Sequence, residues 1–525
     1  MKKYLALFLC LVLLLSGCAS NNEIVEPSEE MEETEPTELP LEQETQERES
    51  FGLSYLTEYG LNPYLCAATA NRAIFSLLYE SYFAVTEDFQ AEPVLCESFK
   101  GSETGTKYTY MLMDGLCFSD GTPVTMADVE ASLKAARSSA LYKHRLANIS
   151  YYVVEGDRAL VIQLKTPYEN FSLMMDFPIL KADTIESGSP LGTGSYMLSG
   201  NTLVRNPHWW GETPPVIDEE KIDLYPCNQT GELRDNFEFG GTDLVYFDPN
   251  SAAAVGFRCD YEVWEAPTTV MHYIGFNIYS GYFANDSLRQ AVTYIVNRDA
   301  IRNEVYKGFA QASVLPCSPK SGLYDEQLAE KYDYAPASFI AALQSSGVTG
   351  SEEYANHVGY FIVCSEDPAR VDAAQYICEE LQKYGLNIRL NILDRASYKS
   401  ALKGGNFDLY YGEVRLTANF DLTEFFREGG NLEYGRIASS SMVDMCKKAL
   451  ANSGSYVEMC AEFMKLARVC PVAFKSNAVY VTRGMITEMI PAVDCVFHGR
   501  QQRTLSDVDR TYFSEEPAAT TAPET

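Results

Sequence analysis

From His357 to Val414 the chain alternates strand and helix with glycine at the joints, and this alternation restricts the fold more than any other stretch. "HVGYFIVCSED" is a short apolar run that reads as a strand. "RVDAAQYICEELQKYGLNIRLNILD" reads as a helix, a stop at Gly385 and a second strand. "SYKSALKGGNFDLYYGEV" repeats helix, glycine stop and strand. Strands joined through a helix by short connections pair in parallel, so this part predicts an α/β lobe with some parallel pairing.

Other segments supply further elements. Ile74, Leu77 and Leu78 share one face of a helix, and Tyr108, Tyr110 and Leu112 alternate as in a strand. Asp114-Gly115 and Asp120-Gly121 mark turns. Thr125 with Asp128 makes a box-like start for a helix whose inner face is Val129, Leu133 and Ala136. "ALVIQLKTPYENF" is a strand stopped by Pro167. "MHYIGFN" predicts a short strand ending at Asn277, and Asp286 is the expected cap of a helix that buries Leu288, Ala291, Val292 and Ile295. Asn297 or Asp299 restarts the helix with Ile301 and Val305 inward. A helix over 456–468 and a strand in "PVAFKSNAVYVTRG" close the series.

The N-terminus is built differently. Lys2 and Lys3 precede twelve apolar or aromatic residues, Tyr4 to Leu15, and the run ends at Ser16-Gly17-Cys18. It is short of the about 20 residues a membrane helix needs and suits a signal core of about 7–15. Leu15-Ser16-Gly17-Cys18 resembles the lipobox of bacterial lipoproteins, which implies cleavage after residue 17 and acylation of the Cys18 thiol. Residues 21–50 then hold twelve glutamates, three prolines and a single Arg48, with no aromatic residue. Such a stretch buries too little apolar surface to offset its ordering entropy, and its like charges extend it. It reads as a tether, and "SEEPAATTAPET" at 514–525 as a disordered tail.

The body between these ends stays acidic, within a chain of 73 acidic against 41 basic residues. No basic stripe remains for nucleic acid, so that partner is excluded. The twelve cysteines beyond Cys10 and Cys18 show no C-x-x-C and no zinc-like spacing. They read as buried thiols or disulfides, and spacing does not choose between them. The five histidines (144, 208, 272, 357 and 498) form no H-E-x-x-H pair, and neither G-x-S-x-G nor a phosphate-binding G-x-x-x-x-G-K occurs. "GTGSY" at 192–196 is a lone G-x-G. No catalytic residue, metal site or cofactor is expected.

The ordered pieces Leu61-Asn62-Pro63, "LLYESY", "YTYMLMDGLCFSDGTPVTMADV", "LGTGSYML", "RNPHWWG", "IGFN" with "LRQAVTYIVNRDAI", "LQKYGLNI", "FDLYYG" and "CPVAFKSNAVYVTRG" span roughly 52–490. Together they resemble the family 5 solute-binding proteins of ABC importers, whose members take peptides, nickel, opines or oligosaccharides. The resemblance implies a two-lobed α/β fold of the periplasmic-binding-protein type. It has a discontinuous first lobe, an extra subdomain in that lobe and a ligand cleft between the lobes. It places lobe I at 51–65, 185–268 and 476–513, the inserted subdomain at 66–184 and lobe II at 269–475, with crossings near Pro267–Tyr273 and Cys470–Ser476. It also implies a monomer that closes on a peptide or other small solute and delivers it to separate permease and ATPase subunits. The alternatives are a surface sensor on the same fold and, on another basis, a secreted hydrolase.

In peptide-binding relatives a tryptophan and an acid follow the strand that matches "FDLYYG". Arg415 falls at the tryptophan here, Ala418 or Asn419 at the acid, and Asp421 matches a second acid. The resemblance thus implies that Glu413, Arg415, Asn419 and Asp421 face the ligand, with Tyr64, Tyr273 and Asn277 near the first-lobe loop and hinge. The planar fork of Arg415 suits a carboxylate or phosphate. The expected location is the outer face of the cell membrane, held by lipid on Cys18. Replacing Cys18 with Ala is expected to move the protein from the membrane fraction into the medium, as read by immunoblot of the two fractions. Two acyl chains are what make such anchoring stable.

Overall fold

The computed structural model describes residues 50–211, 217, 219–251, 256–279, 281–348, 351–352, 354, 356–486 and 488–498. The expected signal segment, Cys18, nearly all of the tether and the 514–525 tail lie outside them. No helix among the described residues is long and apolar enough to cross a membrane.

One mixed sheet organises the body. From edge to edge its strands are Ile388–Leu393, Gly359–Cys364, Leu409–Arg415, Tyr261–Phe276, Val469–Thr482, Leu244–Phe247, Phe51–Leu56, Lys221–Cys227, Thr202–Arg205 and Tyr196–Ser199. A short strand, Ala310–Ala312, adds to Val469–Thr482. The glycine-punctuated stretch behaves as expected: Gly359–Cys364 pairs in parallel with both Ile388–Leu393 and Leu409–Arg415. Helix Pro368–Lys383 makes the first crossover and buries Ala373, Ala374, Ile377 and Leu381. Phe51–Leu56 likewise pairs in parallel with Lys221–Cys227 and Leu244–Phe247.

The two central strands are longer than the sequence suggests. "MHYIGF" is only the end of a 16-residue strand that begins at Tyr261. Its register with Val469–Thr482 shifts between Pro267 and Met271 and again between His272 and Tyr273. Proline is tolerated within a sheet at such an irregularity, because no ladder hydrogen bond is needed from it there. Thr268 Oγ1 donates to the Lys475 carbonyl at 2.6 Å across this gap.

A second, four-stranded antiparallel sheet runs Cys96–Gly101, Lys107–Leu112, Ala159–Leu164, Ile149–Glu155. Tyr108, Tyr110 and Leu112 alternate into its core as read from the sequence. Both bonds of the Thr125/Asp128 capping box form at helix Met126–Ser138. At the later helix the cap is Asn285, not Asp286: the Asn285 side chain accepts from Leu288 N, and Asp286 is already the first helical residue. Asn297 starts the next turn by accepting from Ala300 N. The twelve cysteines among the described residues are all free, and nine of them are buried.

"GTGSY" turns out to be a packing device. Gly194 N donates to the Leu78 carbonyl at 3.0 Å. A Cβ on Gly192 or Gly194 would run into the Leu77 and Leu78 backbone. Gly194→Ala is therefore expected to cost about 2–3 kcal/mol or more, since backbone cannot yield as a side chain can. Gly188→Ala, which meets nothing within 4 Å, is expected to stay within about 0.5 kcal/mol. Urea unfolding of the two variants measures the contrast.

Candidate functional site

A cavity of 970 Å³ opens among segments far apart in the chain. Small-molecule sites typically occupy about 300–1,000 Å³. Helix Arg72–Leu78 forms one wall. It buries Ala73, Ile74, Leu77 and Leu78 in the core, which leaves Arg72, Phe75 and Ser76 on the cavity side. The hairpin of Phe83–Val85 and Ala91–Pro93, the loop from Ala140 to Arg145, and Trp209-Trp210 add further walls. Arg415, Leu416 and Thr417 enter from the end of a central strand, and Val493 to Cys495 from the last described turn.

Three arginines meet in this cavity. Arg72 pairs with Asp494 Oδ1, Arg145 Nη2 lies 3.3 Å from Asp494 Oδ2, and Arg415 Nη1 lies 3.3 Å from Asp494 Oδ1. Arg145 also pairs with Asp176 and rests over the Tyr142 ring, 5.0 Å from its centroid. Three guanidiniums thus face two carboxylates. Burial pushes the Asp494 carboxyl up, but Arg72, Arg415 and Arg145 together hold it well below the usual carboxylate range. For Asp176 burial wins, and its carboxyl is raised despite Arg145. Its Oδ1 is buried and has no hydrogen-bond partner. Asp494 raises Arg415, yet desolvation and the charges of Arg72 and Arg145 leave it lowered. The cluster therefore holds more positive charge than its own acids neutralise.

Another part of the wall, just beyond helix Arg72–Leu78, is fixed by Glu80. It accepts from Trp209 Nε1 at 3.0 Å, Trp210 Nε1 at 2.9 Å and Thr193 Oγ1 at 2.8 Å. Burial raises its carboxyl even though all three donors favour the charged form.

A second charged network sits at the long strands. His272 and Glu413 are directly opposite across the ladder, with Nε2 and Oε2 2.9 Å apart. His272 Nδ1 lies 2.6 Å from the Tyr306 hydroxyl. Lys475 Nζ is 2.6 Å from Asp248, 3.6 Å from Asp367 and 3.6 Å from Glu413. His272, Asp367 and Glu413 have the donor types and spacing to hold a metal. The Lys475 ammonium already supplies the cation for both carboxylates, so the set is complete as an ion-pair network.

Of the residues inferred from the sequence, Arg415 lines the cavity and the others lie elsewhere. Glu413 belongs to the strand network just described, and both it and Arg415 are strand residues rather than loop residues. Asn419 accepts from the Tyr168 hydroxyl at 2.7 Å and the Thr417 hydroxyl at 2.8 Å. Asp421 accepts from Thr423 N and Oγ1 at 2.9 and 2.6 Å. Asn277 donates to the Gly405 and Phe407 carbonyls. Tyr273 is buried against Tyr410 and Phe425, and the Tyr64 hydroxyl donates to the Pro178 carbonyl. Sequence reasoning missed Arg72, Arg145, Asp176 and Asp494. Arg72 was in view on the polar side of a helix already read as amphipathic. The others sit in irregular segments without a motif.

A two-lobed α/β body with a charged cleft is the architecture of a binding protein that closes on a solute. Residues 90–427 match the family of bacterial extracellular solute-binding proteins, family 5. The glutathione-binding protein GsiB of Salmonella typhi is 23% identical over 369 residues, covering 66% of this chain and 69% of GsiB. A putative peptide binding protein AppA from Clostridium difficile has a TM-score of 0.69 at 15% identity, covering 87% of this chain and 100% of that one. A nickel ABC transporter protein from Bacillus halodurans gives 0.70 at 15% identity, covering 87% and 99%. The chain belongs to the family 5 extracellular solute-binding proteins. It is a substrate-binding protein of an ABC importer and not an enzyme.

The strand network gives a pH prediction. Burial raises the Glu413 carboxyl, but the His272 bond and the charges of Lys475 and Arg370 hold it far below its ordinary value. A depressed carboxyl contributes stability above its unfolded value of about 4.3, and that stability is lost as pH falls toward the folded value. Glu413→Gln is expected to be less stable than wild type at pH 7, with the difference shrinking steadily below about pH 5. Urea unfolding between pH 7 and 3 measures it.

Proposed function

We propose that the arginine-lined cavity is the solute site and that its ligand is a small anionic solute, a short peptide or similar molecule bearing carboxylates. The observation that carries this reading is the surplus of positive charge around Asp494. Arg415, the most exposed of the three at 38%, takes the ligand's anion through its fork. Asp176 Oδ1, buried without a partner, accepts from an ammonium or amide of the same ligand. Glutathione has two carboxylates and one ammonium. It is named in the Salmonella relative and is the first compound to test.

The lobes divide at 51–65, 185–268 and 476–513 against 269–475, with the subdomain at 66–184 and the long strands as the hinge. Ligand bridging Arg415 from one lobe and Arg72 and Arg145 from the other favours closure by its differential affinity. The closed monomer docks on a permease driven by a cytoplasmic ATPase. Acylated Cys18 and the acidic tether hold it at the outer face of the membrane.

Mass spectrometry of small molecules released on unfolding the purified protein identifies the ligand class, and an anionic solute is expected. Arg415→Ala is expected to weaken binding of glutathione, or of the released solute, by well over tenfold. Truncating one side of a desolvated charge pair costs about 2–5 kcal/mol. Circular dichroism of the unliganded variant is expected to match wild type. An unchanged dissociation constant by calorimetry rejects the site.

A further inference from the structure

We propose that Asp494 is a tethered competitor for the ligand's anionic group, a carboxylate of the chain itself held where the solute's carboxylate binds. The proposal rests on the reading of the cavity as an anion-binding solute site. Asp494 stands at the tip of a tight turn closed by Ala492 N to Cys495 O at 2.9 Å and Cys495 N to Ala492 O at 3.3 Å. The turn is pinned by Val493 N to Val85 O at 3.2 Å and by buried Val496 and Phe497. Asp494 itself has a φ of 59°, a left-handed conformation that side-chain-bearing residues adopt at a cost. Backbone strain of this kind persists where the surroundings impose it and clusters at ligand clamps and switches. What imposes it here is the tight turn, at a residue type that tolerates the left-handed region, and the turn so formed holds the carboxylate against three guanidiniums.

The pairing is also unequal. Arg145 has Asp176 as a second acid, whereas among the described residues Arg72 and Arg415 pair with no carboxylate but Asp494. An incoming carboxylate that engages Arg415 and Arg72 must share them with Asp494 or displace it. The arginines are thereby neutralised in part in advance, and weakly held anions gain less by entering. A solute binds when its several groups together outcompete one internal carboxylate. The apparent affinity of every anion is reduced by the fraction of molecules in which Asp494 is seated.

The test uses calorimetry with succinate and with glutathione on the full chain, on Asp494→Asn and on Asp494→Asn combined with Arg415→Ala. Asparagine keeps the shape and tolerates the left-handed backbone, and it leaves Arg72 and Arg415 without their acid. Succinate is expected to bind Asp494→Asn at least about tenfold more tightly than wild type, and the double variant is expected to lose that gain. Equal or weaker succinate binding by folded Asp494→Asn overturns the proposal. If that variant fails to fold, Asp494→Gly, whose residue accepts the positive φ freely, repeats the comparison under the same criterion. Glutathione binding equally to wild type and variant keeps the solute-site reading and rejects the competitor. Glutathione binding to neither, with succinate bound by the variant, keeps the competitor and removes glutathione as the solute.

Discussion

The structure depends on the pairing of Tyr261–Phe276 with Val469–Thr482, two strands about two hundred residues apart in sequence that run antiparallel through the centre of the main sheet. On one side they carry Leu409–Arg415 and the parallel strands beyond it, and on the other Leu244–Phe247, Phe51–Leu56 and the outer hairpin. Within the sheet, the two halves are joined through this pair alone. The ladder is irregular between Pro267 and Met271, where two threonines, Thr268 and Thr269, are buried and Thr268 replaces a ladder bond with its hydroxyl. A strand pair with a local break in its ladder can bend there while holding register elsewhere. Lys475, Glu413 and His272 lie beside this break and tie the flanking segments to it.

The two charged networks differ in kind. Around Lys475, three carboxylates meet one ammonium, the Arg370 guanidinium and an imidazole, and the groups are spoken for within the chain. Around Asp494 the count runs the other way, with guanidiniums in excess. In a chain of net charge −32 a cluster with guanidiniums in excess is an exception, even though Glu80 and Glu92 add carboxylates elsewhere on the same cavity. Low-dielectric walls strengthen the field of these arginines close to them. Long-range repulsion by the acidic surface and short-range attraction by the cavity then act in opposite senses. On the proposed reading of the cavity, an anionic ligand would be favoured only once its charge had come within about a Debye length of the arginines.

Local patterns in the sequence identified many of the elements, for physical reasons visible in each. The Thr125/Asp128 box, the alternation of Tyr108, Tyr110 and Leu112, and the glycine stop at Gly385 are all decided by neighbours a few residues away. The extent of Tyr261–Phe276 was not legible, because "YEVWEAPTT" carries charge and proline and becomes strand only against its distant partner. The cap at Asn285 went to the neighbour of the residue expected, a one-position choice between two good capping side chains. At the cavity, Arg415 was found through family resemblance, while Asp494 carries no local signal. "PAVDCVF" gives no hint that its acid is to meet arginines from three other segments.

Glu80 has a consequence beyond the packing of the cavity wall. The chain contains three tryptophans, and two of them, Trp209 and Trp210, donate their indole N–H groups to this one half-buried carboxylate. Their rings lie 5.8 Å apart at the cavity wall. Indole emission shifts with the field and wetness around the ring, and here both are set by the same cavity that would exchange water for solute. The third, Trp264, is on a central strand outside the cavity lining. The protein thus carries its own fluorophore at the point of interest, and the colour of its unlabelled fluorescence is a property of that cavity more than of the fold at large.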